Sequence, residues 1–356
     1  MPNFGKMLSQ DPFGMPQHEK EQWYCELQKE LTLYHYMRCK PYQKIIDRLA
    51  EKPREDWSLP DIPMVPVRLF KSIDLKSTGD SEVARVLTSS GTSGRAASRI
   101  HLDRKAILLQ SRVLKHIFSQ LFPKSTNTIM FVVERPSSLN SKNDISASVA
   151  AIRGFSQFAN DIQAILDERD NPDLDRLENY VAENPDNPFI IFGFTSQLWF
   201  QLISKLQARG MSFKKNKGIV IHGGGWKKMQ DKAVSKEEFN QVTKSILGVT
   251  SVHNYYGMVE QTGSVFLECE EGYFHPSIYS EVIIRDQNLQ VAKIGEKGLI
   301  QVMTLLAESY PGHNLLTDDI GMINGEDFCK CGRRGKFFSV LGRAPGVELR
   351  GCSDAK

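Results

Sequence analysis

A run of hydroxyls and glycines, Thr88, Ser89, Ser90, Gly91, Thr92, Ser93 and Gly94, follows the apolar alternation of residues 83–87. Glycine lets a backbone approach a ligand closely, and successive N–H groups with Ser and Thr hydroxyls donate to phosphate oxygens. The tract therefore suits a strand feeding an anion-binding loop, although turn chemistry alone accounts for the same residues. It is not a Walker A loop, because Arg95, Ala96 and Ala97 follow Gly94 where that motif needs lysine and a hydroxyl. Gly223, Gly224 and Gly225 end a second apolar run, at the kind of strand terminus where open α/β sheets take ligands. Cys269 and His275, with Cys329 and Cys331, offer sulfur and imidazole in the number that tetrahedral zinc requires. Four unrelated residues are the alternative, C-x-C being a less usual spacing than C-x-x-C. Cys352 lies near Arg350, whose charge favours the attacking thiolate; otherwise it is an incidental exposed thiol.

The elements that must position these groups follow from periodicity. Residues 19–49 read as helix with Trp23, Leu27, Leu31 and Tyr34 on one face and Pro41 breaking the run. Residues 59–67 are proline-rich and extended. Helical patterns cover residues 104–121, 147–154, 171–183, 196–207 and 236–245, with Thr195 as the expected N-cap of the fourth. Buried strands are expected at residues 127–133, 188–194 and 218–222, and a short one at 252–257. Beyond Gly263 the character turns to β, at residues 265–268, 281–284 and 298–304. Strand, glycine turn and helix in repetition predict an α/β fold with a mainly parallel, helix-covered sheet and a β-rich part after it.

The 356 residues, 40% hydrophobic and 24% charged, are those of an ordinary globular protein. A net charge of +3 is too small to argue for nucleic acid or an anionic membrane as partner. The first residues lack the apolar run of a signal peptide and no stretch of about 18 apolar residues offers a membrane span, so a cytoplasmic location is expected. Six cysteines are too sparse for a disulfide scaffold, and Cys25 and Cys39 read as small buried hydrophobes of the first helix.

Residues 89–103 (SSGTSGRAASRIHLD) resemble the phosphate-binding loop of adenylate-forming enzymes, and most of all that of the acyl-protein synthetases of bacterial luminescence operons. Four more stretches match that pattern in order. The turn from His222 to Trp226 stands where the family holds adenine and shapes the acyl pocket. Tyr255-Tyr256-Gly257-Met258-Val259-Glu260 is similar to Y-G-x-T-E, which implies an aromatic ring beside adenine and a magnesium-binding Glu260. Leu316-Thr317-Asp318-Asp319-Ile320-Gly321 is similar to T-G-D-x-G, which implies that Asp319 holds the ribose hydroxyls. Leu341-Gly342-Arg343 is similar to the G-R that opens the family's hinge, with Arg343 near ribose and phosphate. Alone, Glu260 would be a solvated carboxylate and Asp319 a turn residue; the ordered set carries the resemblance.

The resemblance implies a catalytic domain over residues 1–340, β-rich from about 263, and a hinge and tail over residues 341–356 in place of the mobile C-terminal domain of acyl-CoA ligases. It implies ATP and Mg²⁺ as cofactors, a fatty or related carboxylic acid as substrate, and Cys352 as acyl acceptor. A structural zinc is the further candidate. An acyl reductase and a thioesterase are the implied partners. Two departures are visible: Val259 replaces the motif threonine, so Thr262, Ser264 or water must supply that contact, and Ala97-Ser98 replaces the commoner proline-lysine. The alternatives are an acyl- or aryl-CoA or carrier-protein ligase and a noncatalytic scaffold subunit.

Overall fold

Phe189–Phe194 and Gly218–Gly223 are buried at every position, the pattern of strands covered on both faces. In the computed structural model, which describes residues 2–50, 52–89, 97–119, 121–122, 128–140 and 147–345, both belong to the second of two compact units. Residues 118–255 form most of this second unit, and residues 1–117 and 256–348 form the first. Ser90, Gly91, Thr92, Ser93, Gly94 and Cys352 lie outside the described residues.

In the second unit the strands Asp161–Ala164, Ile129–Val132, Phe189–Phe194, Gly218–Gly223 and Ser251–Tyr256 lie side by side in that order, all parallel. Parallel neighbours require crossovers, and the helices Ala147–Ser156, Leu174–Glu183 and Lys236–Leu247 supply them. Ser235 caps the last, its hydroxyl accepting from the Glu238 N–H, and Gly248 ends it at a φ of 64°. Thr195 does not cap the helix after Phe194. Phe194 occupies the cap position, and the helix passes into a π segment over Leu198–Ile203 before closing at Ser204–Ala208. The Thr195 hydroxyl instead donates to the Gly223 carbonyl at 3.0 Å, because that buried acceptor lies at the end of the neighbouring strand.

The first unit is built on the long strand Asn314–Glu326. Lys297–Thr304 runs antiparallel along one of its edges, with Ser280–Arg285 beyond, while Val65–Pro66 and then Lys336–Arg343 pair with its other edge. A separate antiparallel ribbon pairs Val83–Thr88 with Arg99–Asp103, so Thr88, where the hydroxyl and glycine tract begins, ends one of its arms. Ser89 closes that ribbon, its hydroxyl accepting from the Ser98 N–H at 2.9 Å.

The helix Gln17–Arg38 buries a stripe one residue out of step with the apolar one in the sequence. Tyr24, Gln28, Leu31, Thr32 and His35 are inside, and three of these are polar. Each polar group has a partner in the first unit: Gln28 Nε2 donates to the Thr304 carbonyl, Thr32 Oγ1 meets His313 Nε2 at 3.0 Å, and His35 Nε2 donates to Ala307 O at 2.9 Å. Pro41 does not merely break the helix. It lies in the first turn of the next, Lys40–Ala50, where its missing N–H costs nothing.

His35 and His313 stack at 4.8 Å between ring centroids, both fully buried. With Nε2–H donated to Ala307, His35 Nδ1 accepts from the Ser77 hydroxyl at 2.7 Å, which fixes the neutral tautomer. Burial pushes His35 down to about 3 and His313 well below the usual range. A histidine whose folded pKa is depressed binds its proton more readily when unfolded. Its contribution is therefore complete above the unfolded value of about 6.5 and is lost as pH falls toward about 3. The unfolding free energy should fall between pH 7 and pH 5 by at most about 1.4 kcal/mol per pH unit for each histidine. Urea titrations at the two pH values should show a shallower fall in His35→Gln; an unchanged slope would exclude the pair as its source.

Candidate active site

In the first unit, Glu260 sits in the short turn Val259–Gln261 and is buried. Burial raises its pKa, opposed by the nearby Ser98 hydroxyl and by the charges of Lys71 and Arg343. Gln261 pins the turn from behind, donating through Nε2 to the carbonyls of Val302 and Gly312, both at 2.9 Å. Gly312 must be glycine for close approach: a Cβ there would stand 2.8 Å from the Glu260 carbonyl and 2.2 Å from the Tyr310 ring. Of the hydroxyls expected to stand in for the motif threonine, that of Ser264 donates to Thr304 Oγ1 at 2.6 Å.

Asp319 lies on the long strand in register with Arg343. Arg343 Nε is 3.1 Å from Asp319 Oδ1, and the Tyr256 hydroxyl donates to Oδ2 at 2.8 Å. Burial raises the Asp319 pKa, while Arg343 and the Tyr256 hydrogen bond pull it back. Tyr256 is pushed well above the usual phenol range, first by burial and then by the Asp319 charge, so it remains a donor at every relevant pH. Asp318, the neighbour on the strand, is held by Arg68, whose Nε is 2.8 and 2.9 Å from its two carboxylate oxygens. Arg68 follows the proline-rich residues 59–67, and nothing in the sequence distinguishes it from a solvated cation.

In the second unit the glycine turn is shaped by aromatic packing. A Cβ on Gly223 would lie 2.6 Å from the Tyr255 ring, which itself packs on Phe155 at 5.2 Å and Phe192 at 6.0 Å. Gly224 and Gly225 turn the chain at φ of 77° and 62°, values that favour glycine. His222 meets Thr195 Oγ1 through Nδ1 at 2.9 Å, and since that hydroxyl already donates to Gly223, Nδ1 carries the proton. Burial, then the His253 and Lys236 charges, lower His222 to about 3. Trp226 packs among Trp199, Phe200 and Phe239 at 5.9–6.0 Å. A cleft of about 450 Å³ elsewhere in this unit, lined by Val149, Ile152, Arg153, Ile162 and Arg176 among others, contains none of the motif residues.

The structure also gathers Cys269, His275, Cys329 and Cys331, whose ligand atoms all lie within 4.8 Å of one another. Cys269 Sγ is 3.9 Å from Cys329 Sγ, and Cys331 Sγ is 3.4 Å from His275 Nε2. Burial raises the three thiols and lowers His275 to about 3, leaving a neutral imidazole.

Comparison with solved structures finds the same fold elsewhere. A 2-hydroxyisobutyryl-CoA ligase in its postadenylation state aligns with a TM-score of 0.69 at 13% identity, over 93% of this chain and 69% of that one. The open form of that enzyme, bound to 2-HIB-AMP and CoA, also gives 0.69, at 14% identity over 93% and 76%. The chain matches the family described as acyl-protein synthetase, LuxE, over residues 5–356, and it belongs to that family. It is a ligase. Among curated relatives, a long-chain-fatty-acid–luciferin-component ligase of Vibrio harveyi is 25% identical over 359 aligned residues, covering 96% of this chain and 90% of that protein. That of Aliivibrio fischeri is 24% identical over 85% and 82%. Among the described residues no helix is long and apolar enough to cross a membrane.

Gly223→Val should test the glycine turn. Its side chain must displace Tyr255 from Phe192 and Phe155, so urea unfolding should show a loss of about 1–3 kcal/mol, the usual cost of overpacking. Wild-type stability in this variant would show that the turn has room to relax.

Proposed function

We propose that the chain activates a long-chain fatty acid, or a related carboxylic acid, with ATP and Mg²⁺ as an acyl-adenylate and then takes the acyl group onto Cys352 as a thioester. The observation that carries the reading is Asp319 bracketed by Tyr256 and Arg343, with the Arg343 charge also acting on the buried Glu260, in a chain of the acyl-protein synthetase family. In the first step a carboxylate oxygen attacks the α-phosphorus and the bond to pyrophosphate breaks. Fatty acids are ionised at neutral pH, so no side-chain base is required and the enzyme's work is positioning and charge stabilisation. The loop of Ser89, Ser90, Gly91, Thr92, Ser93 and Gly94 would hold the phosphates and Arg343 would offset their charge. Asp319 would accept from the ribose hydroxyls, and Tyr255, Tyr256, Gly257 and the turn Gly223, Gly224 and Gly225 would flank adenine. Glu260 would hold magnesium, a hard cation that prefers such oxygens and would neutralise the reacting anions.

In the second step the Cys352 thiolate attacks the acyl carbon and AMP leaves. The thioester would pass to an acyl reductase, with a thioesterase supplying the acid. With ATP, magnesium and a radiolabelled acid, Cys352→Ser should still exchange pyrophosphate into ATP yet carry no hydroxylamine-sensitive label. Label retained in this variant would place the acceptor elsewhere, and label passing only to added CoA would favour the CoA-ligase alternative.

The Cys269, His275, Cys329 and Cys331 cluster fits zinc. Ligands about 2.3 Å from a tetrahedral ion place two sulfurs about 3.8 Å apart, and Cys269 and Cys329 are at 3.9 Å. Four protein ligands leave no open position, so the ion would be structural. Elemental analysis should give about one zinc per chain, and Cys331→Ser should lose both the metal and thermal stability. Metal-free protein of full stability would end this assignment.

A further inference from the structure

The turn Val67–Lys71 packs against both the long strand Asn314–Glu326 and the ribbon strand Arg99–Asp103, anchored by the buried Phe70, whose ring meets Tyr310 edge-on at 6.1 Å. Its Arg68 reaches Asp318, and Asp318 in turn lies 4.0 Å from Arg343, the residue that brackets Asp319. Arg68, Asp318, Arg343, Asp319 and Tyr256 thus form one chain of alternating partners, all in the first unit.

Asp318 stands where the T-G-D-x-G pattern has glycine, which adds a carboxylate beside groups read as binding a polyanion. Left unpaired, that carboxylate would compete with Asp319 for Arg343, which lies 4.0 Å from it. We infer that Arg68 is a positioning residue: by engaging both oxygens of Asp318 it leaves Arg343 directed at Asp319. Arg68 suits the task because its guanidinium is always charged and can span a carboxylate. The inference rests on the nucleotide reading of Asp319 and Arg343 given above.

The test is the KM for ATP in pyrophosphate exchange. Arg68→Ala should raise it about 5–20-fold with a smaller fall in kcat, since the damage is to how Arg343 is presented to the nucleotide. Arg68→Lys should recover part of the loss. Adding Asp318→Asn to Arg68→Ala removes the competing charge and should bring the KM back to within about threefold of wild type, a coupling that independent sites would not show. Arg68 is half exposed, so unfolding midpoints should hardly move. An unchanged KM in Arg68→Ala, or a lowered midpoint as its only effect, overturns the inference. So does a double variant no better than the single one, because Arg68 would then be touching the nucleotide itself. Absence of exchange in the wild-type protein would instead overturn the nucleotide reading, and this inference with it.

Discussion

Two carboxylates withdrawn from water, Glu260 and Asp319, set the terms for the first unit. Burial favours their neutral forms, and a neutral acid could neither hold a hard cation nor accept strongly from a diol. Each therefore needs compensation from a distant part of the chain. Asp319 takes it from Arg343 across the β ladder and from Tyr256, and Glu260 from Ser98, Lys71 and Arg343. A carboxylate offers about four lone-pair positions. One bond from a phenol and one from a guanidinium orient Asp319 and still leave room for two hydroxyl donors.

That requirement explains the strand order. The long strand must present Asp318 and Asp319 with Arg343 opposite, which the antiparallel pairing to Lys336–Arg343 achieves, and Ala344 N donating to Asp318 O at 2.9 Å ties off its end. Gln261 then links the Glu260 turn to Val302 and Gly312. Asp319 is thus fixed by the sheet itself, and the turn that carries Glu260 is tied through Gln261 to the strand at Val302 and to the connection at Gly312.

The second unit was the more legible in the sequence. Its three central strands are buried on both faces and appear as continuous apolar runs, as at residues 188–194, and its crossover helices are amphipathic, whereas the edge strand Asp161–Ala164, half exposed and polar, gave no such run. The first unit hides its logic. Residues 314–326 and 336–343 were read only as motifs, because Asp, Asn and Gly within them lower β propensity, and the pairing that makes them strands is long-range. The helix Gln17–Arg38 was found but turned by one residue, since Gln28, Thr32 and His35 are buried through hydrogen bonds that no apolar pattern encodes.

The site divides in the same way. Glu260, Asp319 and Arg343 could be named from ordered motifs, and the cluster of Cys269, His275, Cys329 and Cys331 from residue types. Their supporting partners could not: Arg68 and Gln261 carry no signal in residue type or spacing, and Thr195 and His222, noted for other reasons, carry none for their pairing. The difference is physical. A group that meets a ligand is constrained by the ligand's chemistry and so recurs as a type, whereas a group that orients it is constrained only by local geometry. Thr195 illustrates the cost of reading type without geometry. A threonine ahead of a helix is a good cap, yet the buried Gly223 carbonyl and His222 ring were left needing a partner, and unmet polar groups in a dry interior cost more than a missing cap at a half-satisfied helix start.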